Sequence, residues 1–235
     1  MSDGGLHFSE EDKKSSEYIY WWRRWKSEKR KLLNSHYEYF YTEYFDVPKI
    51  FYEDKKVIDI GCGPRGSLEW VPDTTTAVGL DPLVDQYARF GISDHKAIYI
   101  SSGAESIPVP TESFDCVFAF NSLDHVTNVD ACIAEVRRIL KPSGLFLFMV
   151  EINHQPTVQE PHTLSASVVE KFGFDVLDLR TYRQVDNAGC YDIVKDEKNR
   201  AVDDSVSDMW LTAKMRKKRY GVTGYPDAAV SSPDD

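Results

Sequence analysis

The sequence predicts an α/β fold with a doubly wound, seven-stranded and mainly parallel sheet, helices on both faces and an N-terminal helical lid. Two observations support this prediction. After Pro48, short apolar runs alternate with stretches of helical periodicity, which is the pattern of βαβ units. The chain has 235 residues, fewer than the roughly 250 beyond which chains usually divide into domains. One domain is therefore expected.

The apolar runs place the strands, and helical spacing places the helices between them. We expect seven strands, at residues 56–60, 75–80, 97–100, 114–120, 144–151, 174–182 and 209–215. We expect helices at residues 67–70, 83–90, 129–140 and 165–172. Strand and helix thus alternate along most of the core, as a doubly wound sheet requires.

The two ends of the chain differ from its middle. Residues 1–14 and 221–235 are rich in Ser, Asp, Gly and Pro without apolar periodicity, which predicts a disordered N-terminal tail and a C-terminal tail. A single domain then covers residues 15–220. Within it, the aromatic segment 15–47 predicts one long helix or two shorter ones that form a lid, and 48–220 forms the α/β core. A dimer or partner interface is the competing interpretation of the aromatic helices.

Composition excludes several classes of partner. The formal net charge is −10, whereas a nucleic-acid-binding protein presents a basic face that neutralises phosphates. No apolar run approaches the roughly 20 residues that span a bilayer, and the polar N-terminus is not a signal peptide. We therefore expect a cytoplasmic protein that binds neither nucleic acid nor membrane. The four cysteines lack metal-type spacing, so no metal is expected.

A glycine-rich turn follows the first predicted strand. The segment from Val57 to Gly66 reads VIDIGCGPRG. At Gly61 and Gly63 a side chain would block the approach of a ligand to the backbone, and the turn opens toward a predicted helix start. The next strand ends in Asp81, 20 positions beyond Gly61. This spacing brings a carboxylate close to a ribose bound at the turn.

Several interpretations share that spacing. A G-x-G-x-x-G turn with a later acidic residue is also the fingerprint of nicotinamide dinucleotide enzymes. A tight strand-to-helix connection without any ligand can need the same glycines. Asp59, two residues before the first glycine, separates these interpretations, because dinucleotide enzymes usually have an apolar residue there. The glycines alone leave the ligand open, and the decision depends on Asp59.

Longer blocks carry a resemblance to a known family. VIDIGCGPRG closely resembles the first motif of class I S-adenosylmethionine-dependent methyltransferases, and VGLDP resembles the second. Further along, GAESIPVPTESFDCVFAFNSLDHV and LKPSGLFLFMVE resemble the segments from the third strand to the fifth. The resemblance covers roughly residues 57–182 and a last strand at 210–214, and it leaves out the N-terminal helices. It implies S-adenosylmethionine as the cofactor.

The resemblance also implies which residues contact the cofactor. Asp59 would help to hold the methionine amino group, and Asp81 would bind the ribose hydroxyls, with Pro82 near the adenine. The remaining positions implied at the cofactor are Gly61, Cys62, Gly63, Ala104, Glu105 and Asn121. Many relatives have Asp or Asn where this chain has Gly103, so the side chain that caps the adenine amine in those relatives is missing here.

Methyl transfer from a sulfonium needs alignment of the nucleophile, the methyl group and the leaving sulfur, and it needs no metal. A hydroxyl or ammonium acceptor must also lose a proton, for which histidine is the natural base near neutral pH. His125 follows the fourth strand and His154 the fifth, where loops usually hold substrate. We expect His154 either to face the acceptor or to cap its loop, and His125 to have a structural, a cofactor-side or a catalytic role. Glu151 has two equally supported roles: a buried hydrogen-bond partner or a functional group of the site.

The expected function is methyl transfer to a small-molecule acceptor, with oxygen favoured over nitrogen, in a metabolite, a sugar or a peptide terminus. The run from Asn121 to Asp124 reads NSLD and not the N-P-P-aromatic motif of many enzymes that methylate DNA bases or glutamine, which disfavours those substrates. An NAD(P)-dependent oxidoreductase and a non-catalytic nucleoside-binding scaffold subunit remain as alternatives. The sequence does not determine the acceptor or the oligomeric state.

Overall fold

The computed structural model describes residues 9–201 and 208–219, which contain one seven-stranded sheet. The strands are β1 (Lys56–Ile60), β2 (Thr76–Asp81), β3 (Ile98–Ser101), β4 (Phe114–Phe120), β5 (Leu140–Ile152), β6 (Asp175–Arg183) and β7 (Met209–Arg216). Their order in the sheet is β3-β2-β1-β4-β5-β7-β6. β7 runs antiparallel to its neighbours β5 and β6, and the other pairs are parallel. The predicted fold class is confirmed.

The helices of the described residues are α1 (Glu10–Ser27), α2 (Tyr37–Tyr41), α3 (Val84–Tyr87), α4 (Val129–Ile139), α5 (Val168–Lys171) and α6 (Cys190–Lys195). Short 3₁₀ helices lie at Glu43–Phe45, Lys49–Tyr52, Ala88–Phe90, Ile92–Asp94 and Glu197–Asn199. None of these helices is both long and apolar enough to cross a membrane.

The predicted helix at 67–70 is wrong, because these residues form turns. Gly63 and Gly66 have positive φ angles of 57° and 74°, which a right-handed helix cannot accommodate. Pro72 follows soon afterwards and disfavours helical geometry in the residue before it. The residues between these positions stay in turns, so the glycine turn does not open onto a helix N-terminus.

Helix α1 begins earlier than the sequence predicts. The Ser9 side chain accepts a hydrogen bond from the Asp12 N–H, and the Asp12 carboxylate accepts one from the Ser9 N–H. This reciprocal pair is a capping box, which satisfies two backbone donors at the helix start. Residues 10–14, predicted as part of the disordered tail, are therefore helical. Residues 1–8 and 221–235 of the predicted tails lie outside the described residues.

The aromatic N-terminal region splits into two parts. Lys29 and Arg30, with φ angles of 54° and 64°, end the helical path after α1. Helix α1 has no buried residue, whereas five aromatic side chains of the following segment are buried: Tyr37, Phe40, Tyr41, Tyr44 and Phe45. The predicted lid 15–47 is therefore wrong at its C-terminal end. Residues 37–47 belong to the core, because burial against the sheet removes their large apolar surface from water.

Two apolar layers cover the sheet. Along β1, Ile58 and Ile60 point toward the face that α4 and α5 cover, and Val57 points to the opposite face. Residues 37–52 and α6 cover that second face with aromatic side chains. Asp59 points to this aromatic side, where its carboxylate meets the Tyr41 hydroxyl. The alternation along β1 therefore places one carboxylate in an otherwise apolar layer.

Candidate active site

A cavity of about 980 Å³ opens at the carboxyl edge of the sheet. Asp59 from β1, Asp81 from β2, Phe120 from β4 and Glu151 from β5 line it. β1 and β4 are neighbours from which the strand order runs outward in opposite directions. The cavity therefore lies at the topological switch point, where open α/β sheets bind their ligands.

Two glycines form the cavity wall at the end of β1. Gly61 and Gly63 have φ angles of 70° and 57°, which residues with a side chain rarely adopt. A Cβ atom on Gly61 would lie 2.3 Å from Ser122 Cβ, and one on Gly63 would lie 2.8 Å from the Trp21 ring. Neighbouring protein atoms therefore exclude side chains at both positions, whether or not a ligand is bound.

Asp59 is a buried carboxylate at the cavity. It is 2% exposed and accepts hydrogen bonds from the hydroxyls of Tyr41, at 2.9 Å, and Ser67. Burial raises the pKa of Asp59 to about 7, although the two hydroxyl hydrogen bonds act in the opposite direction. No cationic side chain hydrogen-bonds to it within the described residues. An ammonium group of a ligand would therefore favour its ionised form.

Asp81 fixes the turn that faces the cavity. One of its oxygens accepts the Gly63 N–H at 3.1 Å, and the other accepts the Leu83 N–H at 2.9 Å. Burial raises the pKa of Asp81 to about 7, with partial compensation from these two backbone hydrogen bonds. Each carboxylate oxygen has a second lone pair for a further donor. The geometry suits a pair of hydroxyls such as those of a ribose.

The remaining predicted cofactor positions also line the cavity: Gly61, Cys62, Gly63, Pro82, Ala104, Glu105 and Asn121. Glu105 accepts the backbone N–H groups of Thr127 and Asn128, which holds the loop after β4 against the loop after β3. Asn121 has a φ of 52°, and its buried Oδ1 has no hydrogen-bond partner among the described residues. An unsatisfied acceptor facing a cavity suits a ligand donor. The individual cofactor contacts stay predictions.

Helix α1 covers the cavity from outside the core. Its Tyr18 and Trp25 rings pack on Phe90 with centroid distances of 5.7 Å and 5.5 Å. At the end of the helix, the Arg65 guanidinium donates two hydrogen bonds to the Glu28 carboxylate, at 2.8 Å and 2.5 Å. This pair lowers the pKa of Glu28 to about 2. These contacts, together with the hydrogen bonds that Glu10 and Lys13 form with Thr127, hold the helix in place.

The structure separates the two predicted catalytic histidines. His125 lines the cavity, but His154 does not. His154 is 4% exposed, and its Nδ1 lies 2.9 Å from the carbonyl oxygen of Gln155. The prediction that His154 faces the acceptor is wrong, because the loop after β5 turns its imidazole into the protein interior. Position after a strand end did not reveal this orientation.

Carboxylates surround His125. Its ring nitrogens lie 3.9 Å from Glu17, 3.8 Å from Asp124 and 3.7 Å from Glu160. Burial lowers the pKa of His125, but the carboxylates of Asp124, Glu17 and Glu160 outweigh it and raise the pKa overall. A raised pKa favours the protonated imidazole, which disfavours His125 as a general base. The geometry favours an electrostatic or ligand-holding role for His125, and a catalytic role stays a prediction.

Glu151 is the carboxylate at the cavity whose role the sequence left undecided. It lies at the end of β5 and lines the cavity. Burial and the nearby Glu160 carboxylate raise the pKa of Glu151 to about 7. A base with a pKa near the working pH is well suited to accept a proton in the transition state. Glu151 is identified as a candidate base by its surroundings in the folded chain and not by a sequence motif.

Aromatic side chains line the cavity on the side of β5 and β7. They come from elements far apart in sequence, namely α1, α2, α6 and β7, and comprise Tyr20, Tyr37, Phe40, Tyr191 and Trp210. Tyr191 contacts Tyr37 and Phe40 with ring centroids 5.5 Å and 4.7 Å apart. Such a surface suits the apolar body of a small molecule.

The comparisons with known proteins agree with this geometry. Residues 58–148 match the family model described as "Methyltransferase domain". Sterol 24-C-methyltransferase of Candida albicans is 25% identical over 174 residues, which are 61% of this chain and 45% of that protein. Fatty-acid O-methyltransferase of Mycolicibacterium smegmatis is 30% identical over 101 residues, 41% of this chain and 37% of that protein. The chain spans less than half the length of these relatives.

Solved structures share the fold. The cyclase SpnF matches with a TM-score of 0.53 and 20% identity. The match covers 73% of this chain and 77% of SpnF. An S-adenosylmethionine-dependent methyltransferase from Mesorhizobium loti has a TM-score of 0.51 and 16% identity. The match covers 71% of this chain and 92% of that protein. At such identities the likeness concerns the fold alone. The family match and the sequence relatives support a class I S-adenosylmethionine-dependent methyltransferase with S-adenosylmethionine as its cofactor.

Proposed function

We propose that this protein transfers the methyl group of S-adenosylmethionine to an oxygen atom of a small molecule with an apolar body. One observation carries the proposal: every residue that the sequence places at the cofactor lines the same cavity as Glu151 and the aromatic side chains. The relatives described above include a sterol methyltransferase and a fatty-acid O-methyltransferase, which supports an apolar acceptor. A sugar or a peptide terminus is less well matched to the aromatic wall.

The residues present fit the cofactor. Asp59 would hold its ammonium group, Asp81 its ribose hydroxyls, and Asn121 Oδ1 would accept a further hydrogen bond. When bound, the cofactor supplies a methyl group on a sulfonium, which an oxygen nucleophile attacks in line. The cavity holds acceptor and cofactor together, and such orientation can lower a barrier by about 7–11 kcal/mol.

Glu151 would remove the acceptor's proton. As the oxygen–carbon bond forms and the carbon–sulfur bond breaks, the hydroxyl proton passes to a Glu151 carboxylate oxygen. A positioned base contributes about 100- to 10,000-fold to such a step. Glu151 replaces His154 in this role, because Glu151 lines the cavity and His154 does not.

Helix α1 would act as the lid. It contributes Glu17, Tyr20, Trp21 and Arg24 to the cavity wall, yet has no buried residue of its own. A helix held in this way can open for exchange of ligands and close to exclude water during transfer. A dimer or partner interface remains the competing role for its exposed side chains, such as Trp22, which is 39% exposed.

The cellular setting belongs to the same proposal. The net charge of −10 supports an acceptor other than nucleic acid. We propose a cytoplasmic location. The oxidoreductase and scaffold alternatives lose support, because Asp59 faces the cavity where a dinucleotide enzyme usually has an apolar residue, and Glu151 offers chemistry that a scaffold does not need.

The test is an acceptor screen with the purified chain and radiolabelled S-adenosylmethionine. The panel contains long-chain fatty acids, sterols, phenols and quinols, with amines and sugars as comparisons. The expected result is transfer of label to an apolar hydroxyl or carboxyl compound, with loss of label in the Glu151→Gln variant for hydroxyl acceptors. Transfer to a carboxylate would need no base and would persist in that variant.

Two results would contradict the proposal. Label transferred to amines alone would overturn oxygen as the accepting atom. Binding of S-adenosylhomocysteine without turnover across the panel would instead support the scaffold alternative, or a different reaction on this fold. The cyclase SpnF shares the fold, which demonstrates that fold alone does not determine the reaction.

A further inference from the structure

Three potential metal ligands converge beside the cavity. Asp124 and His125 lie shortly after β4, and Glu160 comes from the loop after β5. His125 Nε2 lies 3.8 Å from Asp124 Oδ1 and 3.7 Å from Glu160 Oε1. One ligand atom from each residue lies within 4.8 Å of the other two. The three residues will be called the 124–125–160 cluster.

The buried part of this cluster is unsatisfied. Asp124 is 0% exposed, and neither carboxylate oxygen has a hydrogen-bond partner in the described residues. His125 Nε2 is buried and equally without a hydrogen-bond partner there. A buried carboxylate with no donor is costly, and native proteins compensate it with a donor or a cation. Both unsatisfied groups belong to the same cluster, so one ligand can serve them together.

The local excess of negative charge also favours a bound cation. Glu17 lies 3.9 Å from the other ring nitrogen of His125, so three carboxylates face one imidazole. A protonated His125 balances only one of them. Lys13 and Arg24 also line the cavity, but within the described residues no lysine or arginine forms an ion pair with Asp124, Glu17 or Glu160. The excess negative charge lies where Asp124 has no contact with water.

We propose that the 124–125–160 cluster binds one divalent transition-metal cation. Two carboxylate oxygens and one imidazole nitrogen suit Mn²⁺, Fe²⁺ or Zn²⁺. Metal–ligand distances of about 2.0–2.2 Å place tetrahedral ligand atoms about 3.3–3.5 Å apart. The cluster must therefore contract by a few tenths of an ångström at its two shorter separations. Glu160 lies on a loop, where such a movement is easiest.

The cation would bind an oxygen atom of the acceptor. His125 and Glu160 line the cavity, so open coordination positions would face the space where the acceptor binds. An oxygen of the acceptor is a ligand of the required chemistry, because these metals accept hydroxyl and carboxylate oxygens. This consequence rests on the proposed function. Binding of the metal itself does not, because the cluster consists of protein groups alone.

The experiment is a Mn²⁺ titration of the purified chain, followed by electron paramagnetic resonance without S-adenosylmethionine or acceptor. Free Mn²⁺ gives a sharp six-line signal that is lost on binding. We expect one ion per chain, displaced by Zn²⁺. Asp124→Asn and Glu160→Gln should each weaken binding by roughly tenfold or more, the scale on which groups at metal sites act. Glu10→Gln is the matched control, because it removes a carboxylate that lines the same cavity but lies outside the cluster, where it pairs with Lys13 and Lys14.

Three outcomes would overturn the proposal: no bound Mn²⁺ in the wild type, equal affinity in all four proteins, or weakening in Glu10→Gln as large as in Asp124→Asn. The last result would indicate diffuse electrostatic attraction. Unchanged affinity for S-adenosylhomocysteine shows that each variant is folded, and Glu160→Gln on the loop tests the site if the buried Asp124 variant does not fold. Because no turnover is measured, failure here is distinguishable from failure of the proposed function.

Discussion

The cofactor side and the acceptor side of the cavity are built in different ways. The cofactor side consists of residues within a few positions of the ends of β1, β2, β3 and β4, and adjoining backbone turns hold them. The acceptor side combines Glu151 with side chains from α1, α2, α6 and β7, which are far apart in sequence. The first is a local property of the sheet edge. The second exists only when distant elements pack together.

This difference indicates where specificity resides. Any member of the family must hold the same cofactor, and a few residues at strand ends are sufficient for that task. The acceptor differs between relatives, and the elements that line its side of the cavity lie largely outside the matched segment 58–148. Changes on the two sides should therefore affect different kinetic quantities, which the following predictions test in order of decreasing effect.

Glu151→Gln should cause the largest loss. For a hydroxyl acceptor, turnover should fall by about 100-fold or more, because the amide cannot accept the proton. In the wild type, activity should decline as the pH falls below about 7, where Glu151 becomes protonated. A pH–rate profile should lose this acid limb in Glu151→Gln and retain it in His154→Gln. Loss of the limb in the His154 variant alone would assign the base to the histidine after all.

Asp81→Ala should affect the cofactor side instead. It removes a charge-assisted pair of hydrogen bonds worth about 1.5–3 kcal/mol in total, so affinity for S-adenosylhomocysteine should fall roughly ten- to hundredfold. Calorimetry measures this directly, and circular dichroism checks the fold because the Gly63 and Leu83 N–H groups also lose their acceptor. An unchanged dissociation constant in a folded variant would contradict the ribose assignment.

Glu28→Gln should loosen the lid. It weakens the bidentate pair with Arg65, and dissociation of S-adenosylhomocysteine should accelerate a few-fold, because partly exposed ion pairs contribute only modestly. Stopped-flow displacement measures the rate. Glu11→Gln is the control, since Glu11 is exposed on the same helix. Equal rates in the wild type and both variants would favour the interface role for α1.

Asp59→Asn tests the pH dependence of stability rather than turnover or cofactor binding. Burial raises the pKa of Asp59 to about 7, so the folded protein keeps a proton that the unfolded chain releases near pH 4. The free energy of unfolding should therefore fall as the pH rises from about 4 to about 7, and less steeply in the variant. Denaturant titrations at several pH values measure the slopes. Equal slopes would show that Asp59 titrates normally in the folded protein.

The centre of the sheet was predictable because its strands are buried. β1 and β4 match the predicted ranges 56–60 and 114–120, since central parallel strands read as continuous apolar runs. The positions on the cofactor side were predictable because each lies at or near a strand end. The missing helix at 67–70 was not, because positive φ angles at Gly63 and Gly66 depend on packing against residues elsewhere in the chain.

The acceptor side was not predictable, because it forms only when elements far apart in sequence pack together. The orientation of His154 depends on a loop whose path no periodicity specifies. Glu151 acquires its raised pKa only through burial and the approach of Glu160. The 124–125–160 cluster likewise joins residues from two loops, and no metal-type spacing links them. Such groups become visible only when long-range contacts are known.

The most direct test of the central claim is a competition between two nucleotides for this cavity. Calorimetry with the purified chain compares S-adenosylhomocysteine with NADH, and each is then titrated into the complex of the other. The account predicts saturable 1:1 binding of S-adenosylhomocysteine that NADH does not displace and that Asp81→Ala weakens. Tight binding of NADH with no affinity for S-adenosylhomocysteine would contradict it, because the carboxylates at the ends of β1 and β2 would then serve a dinucleotide.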